Sequence, residues 1–310
     1  MKNVENIESN LQGKNAFVTG ASRGLGEQIA LNLLEHGAYV IGSSRSDPPE
    51  SIQTYIDQGK ADYELGDLAQ EGKKIVNDIY EKHHGFEIFI NNAGAFSPDY
   101  FTHLDTESIR RDIELDLIAP LLLHRSWFEL YDKSYPSTRT PQLSVNICSI
   151  SSFYAWPGGT AYQAAKSGLA AAVYGLRSMQ QYLNTQATND VKHQVGPSAD
   201  LTTRLVAIYP DNIDTGLLAR TAQNSLYKVR GDALPTKAVL DTIALAIEGR
   251  GNFSEYDDIA ILANPTDPIS HEQLHGIYHA FIPIDQETHR PDFFSRKLEK
   301  FADESVLVKR

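Results

Sequence analysis

Tyr162 and Lys166 lie four residues apart in the run Ala161-Tyr162-Gln163-Ala164-Ala165-Lys166, so on a helix they share one face. A free phenol titrates at roughly pH 10, too high for efficient proton transfer near neutrality. An ammonium group alongside favours the phenolate and lowers that value. The pair reads as a proton-transfer device, with the tyrosine as general acid in a reduction or general base in an oxidation. Ser149, 13 residues earlier, leaves an apolar β-rich run, and its hydroxyl could orient a substrate oxygen and stabilise negative charge developing there. Tyr-x-x-x-Lys by itself is also the pattern of an exposed helix pair. The serine and a glycine-rich turn upstream are what make it specific.

That turn is Thr19-Gly20-Ala21-Ser22-Arg23-Gly24-Leu25-Gly26, placed directly after a strand pattern and directly before a helical one. Glycines let the backbone turn tightly and approach a pyrophosphate, and the helix N-terminus supplies free N–H groups. The strand-before, helix-after context marks it as dinucleotide-binding. In such folds an acidic residue roughly 20 positions on holds the ribose 2′-OH of NAD, whereas an arginine accommodates the 2′-phosphate of NADP. Here the second strand ends Gly42-Ser43-Ser44-Arg45, and the next carboxylate is Asp47. Arg45 and Arg23 could converge on a 2′-phosphate with Ser44 as a neutral partner, or both could be solvated surface residues. The reading is NADP(H) preferred, NAD(H) possible.

The elements needed to position these residues are present. Asn15–Thr19, Tyr39–Ser43, Ile88–Asn91, Ser144–Ser149, Arg204–Tyr209 and Ile259–Leu262 read as strands, with another near Tyr63–Leu65. Glu27–His36, Lys73–Lys82, Ser108–Leu130, Tyr162–Leu183 and Thr236–Glu248 have helical spacing. The alternation predicts an α/β fold, a Rossmann-type doubly wound parallel sheet of about seven strands with helices on both faces. A single domain over 1–310 is expected, with its core at about 12–262. A polar, loop-like insertion falls at about 184–203, and a C-terminal extension at about 264–310. Composition is ordinary for a globular chain, 41% hydrophobic and 22% charged. A formal charge of -12 argues against nucleic acid or an anionic membrane as the main partner. The single cysteine, Cys148, precludes an intrachain disulfide; buried packing is its expected role. The polar start MKNVENIESN lacks the apolar core of a secretory signal, and no apolar run approaches the ~20 residues of a membrane span. A soluble, cytoplasmic protein is expected.

The motifs TGASRGLG (19–26), GDL (66–68), NNAG (91–94), NICSI (146–150), YQAAK (162–166) and YPDNIDT (209–215) stand in the order and spacing of the short-chain dehydrogenase/reductase family, which the sequence resembles over roughly 12–262. The resemblance implies an NAD(P)-dependent oxidoreductase acting on a small carbonyl or alcohol. Asp67, with Leu68 beside it, would contact adenine. Asn91, Asn92, Ala93 and Gly94 would pass along the adenosine ribose. Ser149 would bind the substrate oxygen and Tyr162 exchange the proton. Lys166 would bond the nicotinamide ribose and tune Tyr162. Ile213 and Thr215 would contact the nicotinamide carboxamide, and Pro210 would also belong to the cofactor site. Family habit implies a homodimer or homotetramer.

Three departures matter. The family's helix asparagine is here Asp116, a carboxylate able to keep a helix-backbone role and also able to pair with Lys166 and weaken its effect on Tyr162. The usual Pro-Gly after the sixth strand is Pro210-Asp211, and the C-terminal tail is divergent. These motivate an alternative reading, a non-catalytic NADP(H)-binding regulatory or interaction protein. A remoter alternative is a zinc hydrolase: His271-Glu272-Gln273-Leu274-His275 matches H-E-x-x-H, and His279 would add a third imidazole on one helix face. A surface or lid helix is the plainer account, and no metal is expected. Phe153 and Trp156 could line a substrate pocket or cover the sheet end.

Overall fold

The computed structural model describes residues 11–132, 142–154, 157–189, 203–213, 233–249, 252, 256–263, 277–283, 292 and 297–300. The chain divides into two compact units. One is Met1–Ala93 with Leu121–Ser144 and Gln180–Thr203; the other is Gly94–Pro120 with Val145–Met179 and Arg204–Arg310. The architecture is the expected Rossmann-type one, parallel-dominated strands with intervening helices.

In the first unit β1 (Asn15–Thr19), β2 (Tyr39–Ser44), β3 (Ala61–Leu65) and β4 (Ile88–Asn91) are all parallel, in the order β3-β2-β1-β4. Every residue of β1 is buried, as a central parallel strand requires. The intervening helices are α1 (Gly24–Glu35), α2 (Glu50–Asp57) and α3 (Leu68–His83). α1 buries Ile29, Ala30, Leu33 and Leu34, one apolar stripe at helical spacing. α2 has no counterpart in the sequence reading. It buries only Ile52, so it carries too little periodicity to announce itself. Phe17, Phe86, Phe89 and Trp127 form an aromatic core, with Phe86 and Trp127 centroids 5.1 Å apart.

The remaining helices are α4 (Thr106–Ile113), a π turn (Glu114–Ile118), α5 (Ala119–Asp132), α6 (Thr160–Asn189) and α7 (Thr236–Glu248). The remaining strands, in spatial order, are β5 (Leu143–Ile147), β6 (Arg204–Pro210), β7 (Asp258–Ala263), β8 (Ile277–Phe281) and β9 (Lys297–Lys300). β6 and β7 are parallel, while β8 and β9 add antiparallel neighbours beyond β7. The expected seven strands therefore become nine among the described residues. β9 reads Lys-Leu-Glu-Lys, a short charged strand suited to an edge. α6 continues to Asn189, so the expected loop at 184–203 begins as helix. The Arg177 side chain fastens α6 within the second unit. It donates to Leu205 O at 2.7 Å and Asp257 O at 2.8 Å and pairs with Asp258, which also accepts the Tyr209 hydroxyl at 2.7 Å.

Candidate functional site

In the first unit the glycine turn joins β1 to α1. Gly20 and Gly24 take left-handed φ of 71° and 60°, which favours glycine. A Cβ on Gly26 would stand 2.2 Å from Gly20 O and 2.4 Å from Asn92 Nδ2, so only glycine fits the close approach. α1 begins without a side-chain cap, leaving its first N–H groups without that partner. Thr19, fully buried, ties the turn to the NNAG strand end. Its Oγ1 accepts the Asn92 and Ala93 N–H groups, both at 3.0 Å, while Asn92 Nδ2 donates to Thr19 O at 3.0 Å. Sequence reasoning placed Thr19 in the motif but gave it no role; no local pattern shows a hydroxyl bonding backbone 73 residues away.

Arg23 and Arg45 are exposed, and among the described residues neither meets a carboxylate. Ser44 lies buried at the end of β2. Its hydroxyl donates to Ser46 O at 2.7 Å and accepts the Ser46 N–H at 3.0 Å, so a local turn occupies it. Asp67 caps α3, accepting the Ala69 N–H at 3.0 Å, while its own N–H donates to Glu71 at 2.9 Å. Ser22 and Leu25 are half-buried in the turn, Leu68 is buried at the start of α3, and Asn91 is buried at the end of β4.

In the second unit Asp116, Ser149, Tyr162 and Lys166 come together. β5 ends at Ile147, two residues short of the expected strand end. Ser149 instead caps a 3-10 turn over Ile150–Ser152, accepting the Ser151 N–H at 3.1 Å. Its hydroxyl also donates to Ser151 Oγ at 3.1 Å, and its presence beside Tyr162 helps to lower the pKa of that phenol. Tyr162 and Lys166 share a face of α6. Lys166 Nζ lies 5.7 Å from the Tyr162 ring centroid and donates to Ile147 O at 3.0 Å. Asp116 sits in the π turn, fully buried, with Oδ1 3.0 Å from Lys166 Nζ and Oδ2 accepting the Ala95 N–H at 2.8 Å. A π turn inside a helix is rare and often marks a functional position. A Cβ on Gly94 would meet Asp116 Oδ1 at 2.6 Å, so glycine is needed there too.

Burial holds the Tyr162 hydroxyl above its ordinary range; Lys166 pulls it down, and Asp116 pushes it up again. Burial disfavours the Lys166 charge, but Asp116 and Tyr162 outweigh it and Lys166 stays firmly cationic. Burial pushes the Cys148 thiol up to about 12, which makes it an inert packing residue. Asp211 is also raised by burial; it accepts the Asn212 N–H at 2.8 Å just beyond β6.

Pro210 closes β6 and Ile213 makes a bridge to Leu234. Thr215, Trp156, His271, Glu272 and His275 lie outside the described residues. His279 does not lie on a helix with His271 and His275: it is on β8, buried, with Nε2 2.8 Å from Thr242 Oγ1. The three-histidine helix face is thereby corrected, because pairing with β7 claims this part of the tail for the sheet. Among the described residues no cluster of three or more His, Cys, Asp or Glu could hold a metal. No described helix is long and apolar enough to cross a membrane. Sequence reasoning also passed over Asp112, buried four residues before Asp116, which binds Ser97.

Residues 14–188 match the short chain dehydrogenase family. The chain is 29% identical over 162 residues to a 3-oxoacyl-(acyl-carrier-protein) reductase of Buchnera aphidicola, covering 51% of this chain and 64% of that protein. It is 30% identical over 154 residues to a benzil reductase ((S)-benzoin forming) of Bacillus subtilis, covering 49% and 62%. The chain thus spans less than two thirds of the length of these curated relatives. An alcohol dehydrogenase of Thermococcus sibiricus, solved with 5-hydroxy-NADP, shares the fold with a TM-score of 0.57 at 19% identity, over 76% of this chain and 90% of that one.

Proposed function

This chain belongs to the short chain dehydrogenases, and on that premise we propose that it is an oxidoreductase working between NADP(H) and a small carbonyl or alcohol, with Tyr162 as general acid and base. The observation that carries the reading is the second-unit cluster: Lys166 held 5.7 Å from the Tyr162 ring, with Ser149 placed to lower the pKa of the same phenol.

The residues of the first unit fit a dinucleotide. Gly26 leaves no room for a Cβ, and the α1 N-terminus has no side-chain cap. Gly20, Ser22, Gly24 and Leu25 would face the pyrophosphate. Arg23 and Arg45, unpaired with carboxylates among the described residues, would take the 2′-phosphate; this supports NADP(H) over NAD(H). Asp67 keeps one carboxylate oxygen beyond its helix cap for adenine. When bound, the cofactor supplies or accepts the hydride.

The chain's own residues handle the proton. In reduction the Tyr162 hydroxyl gives its proton to the substrate oxygen, and Ser149 steadies that oxygen by turning its hydroxyl away from Ser151. Lys166 stabilises the resulting phenolate. One of its three donors serves Ile147 O while its charge pairs with Asp116 3.0 Å away, which leaves donor capacity for a ribose hydroxyl. Oxidation runs the same steps backwards.

A second reading, cofactor binding without turnover, draws on the Asp116–Lys166 pair, which partly neutralises the charge that tunes Tyr162. The test is nicotinamide absorbance across a broad carbonyl panel, with NADPH and NADH, for wild type and Tyr162→Phe. Turnover with NADPH that vanishes in Tyr162→Phe is the expected result. NADPH binding with no turnover selects the second reading, and a clear NADH preference overturns the cofactor assignment. A homodimer or homotetramer is part of the proposal, checked by light scattering.

A further inference from the structure

Two buried carboxylates, one helical turn apart, suspend the loop that follows β4. Asp116 takes the Ala95 N–H at 2.8 Å. Asp112, also fully buried, takes the Ser97 N–H on Oδ2 at 3.0 Å and the Ser97 hydroxyl on Oδ1 at 2.7 Å. Arg111 donates to the same hydroxyl at 2.6 Å. Two residues further on, the Asp99 N–H donates to Gly158 O at 3.1 Å, tying the loop to the segment that leads into α6. Between the Asp116 and Asp112 anchors stands Phe96, its ring centroid 5.0 Å from that of Tyr162, with the planes inclined at 59°.

Nothing local demands this arrangement. α4 already has its own cap, Asp105, which accepts the Ser108 N–H at 2.6 Å. Burying a carboxylate is costly unless its oxygens are satisfied, and here both oxygens are satisfied by one serine of the loop. The proton chemistry of Tyr162, Ser149 and Lys166 makes no use of Asp112. What its two bonds do is fix the residue next to Phe96.

We propose that Asp112 is a positioning residue that, by clamping Ser97, holds Phe96 as an aromatic wall against Tyr162 and so selects carbonyl substrates carrying a flat, apolar group beside the reacting carbon. The inference rests on the reading of Tyr162 as the proton donor. It acts through geometry: loss of the clamp displaces the wall without touching the proton donor.

The experiment compares Asp112→Ala, Asp112→Asn, Ser97→Ala and Phe96→Leu, with aryl ketones and small aliphatic ketones as probes and NADPH as reductant. Asp112→Ala and Ser97→Ala raise KM for the aryl ketones about tenfold, the scale of a lost pocket contact. kcat and the midpoint of the pH profile stay in place, and KM for the aliphatic ketones changes little. Asp112→Asn, whose carbonyl still accepts the Ser97 N–H, recovers most of the loss. In a Phe96→Leu background, Asp112→Ala adds nothing further. A second readout needs no turnover: in protein carrying ring-labelled tyrosine, the Tyr162 NMR signal, assigned with Tyr162→Phe, shifts in Asp112→Ala and returns in Asp112→Asn. An unmoved Tyr162 signal in folded Asp112→Ala and Ser97→Ala overturns the proposal, as does an equal loss on both ketone classes. Should wild type reduce no ketone, the acid–base reading fails, and the NMR comparison still decides whether Asp112 positions Phe96.

Discussion

Replacing Asp116 with asparagine should lower the pH at which Tyr162 releases its proton. The carboxylate lies 3.0 Å from Lys166 Nζ, and Nζ lies 5.7 Å from the Tyr162 ring centroid. Laid end to end, these distances bound the carboxylate-to-ring separation at about 8.7 Å. With an effective dielectric constant of about 20, one charge at that distance is worth about 2 kcal/mol. The Tyr162 residue as a whole is half-buried, and solvent screening trims the effect below that figure. Asparagine still accepts the Ala95 N–H, so the loop keeps its anchor while the charge beside Lys166 is lost. The sign follows from the role. In alcohol oxidation Tyr162 is the base, activity rises with pH through its pKa, and that limb moves to lower pH. In carbonyl reduction it is the acid, activity falls as pH rises through the same value, and that limb also moves to lower pH. The assay is kcat/KM against pH in both directions at constant ionic strength, with thermal midpoints confirming a folded variant. Limbs that stay in place, or move to higher pH, refute the electrostatic coupling and leave Asp116 with a purely structural role.

Other outcomes follow from the same geometry. Gly26→Ala places a methyl 2.2 Å from Gly20 O; calorimetry should find NADPH binding lost, and scanning fluorimetry a cost of about 1–3 kcal/mol. Thr19→Val leaves the Asn92 and Ala93 N–H groups without their acceptor, costing about 1–3 kcal/mol for each group in urea unfolding and weakening cofactor binding. Arg45→Ala should raise KM for NADPH at least about tenfold, the value of a charge-assisted bond, and leave KM for NADH unchanged; equal effects on both refute the phosphate assignment. Burial lowers His279 from 6.5 to about 4. The unfolded chain therefore binds the extra proton first, and stability present above pH 6.5 is lost as pH falls towards 4, by up to about 3 kcal/mol. His279→Gln should flatten that acid-side loss, measured as urea midpoints at neutral pH and at pH about 4.5.

Much of the fold was legible because its signals are local. α7 runs over Thr236–Glu248 as its apolar spacing predicts, burying Ala238, Val239, Thr242, Ile243 and Ala246 on one stripe. β1 and β4 read as short apolar runs and are buried throughout. α2 was missed because a mostly polar helix with one buried residue has no period to detect. β8 and β9 were missed because a short strand in a polar tail is defined by its partner, and β8 gains its identity from pairing with β7. The same pairing places His279 in a strand, where an i, i+4 pattern had suggested a helix face.

For the candidate site, the sequence by itself determined which chemistry is available. The four-residue spacing of Tyr162 and Lys166 sets them on one helix face, and glycines between a strand and a helix make a turn that only glycine can take; both follow from backbone geometry within a few residues. Only the tertiary structure decided how that chemistry is tuned. Asp116 meets Lys166 across 50 positions of chain, Thr19 ties Asn92 and Ala93 across more than 70, and Asp112 holds the loop bearing Phe96. Such contacts depend on strand register and helix packing, and the strengths of the charges in them depend on burial. Neither is written in any local pattern of residues, which is why Tyr162 could be located from the sequence while the fields acting on its proton could not.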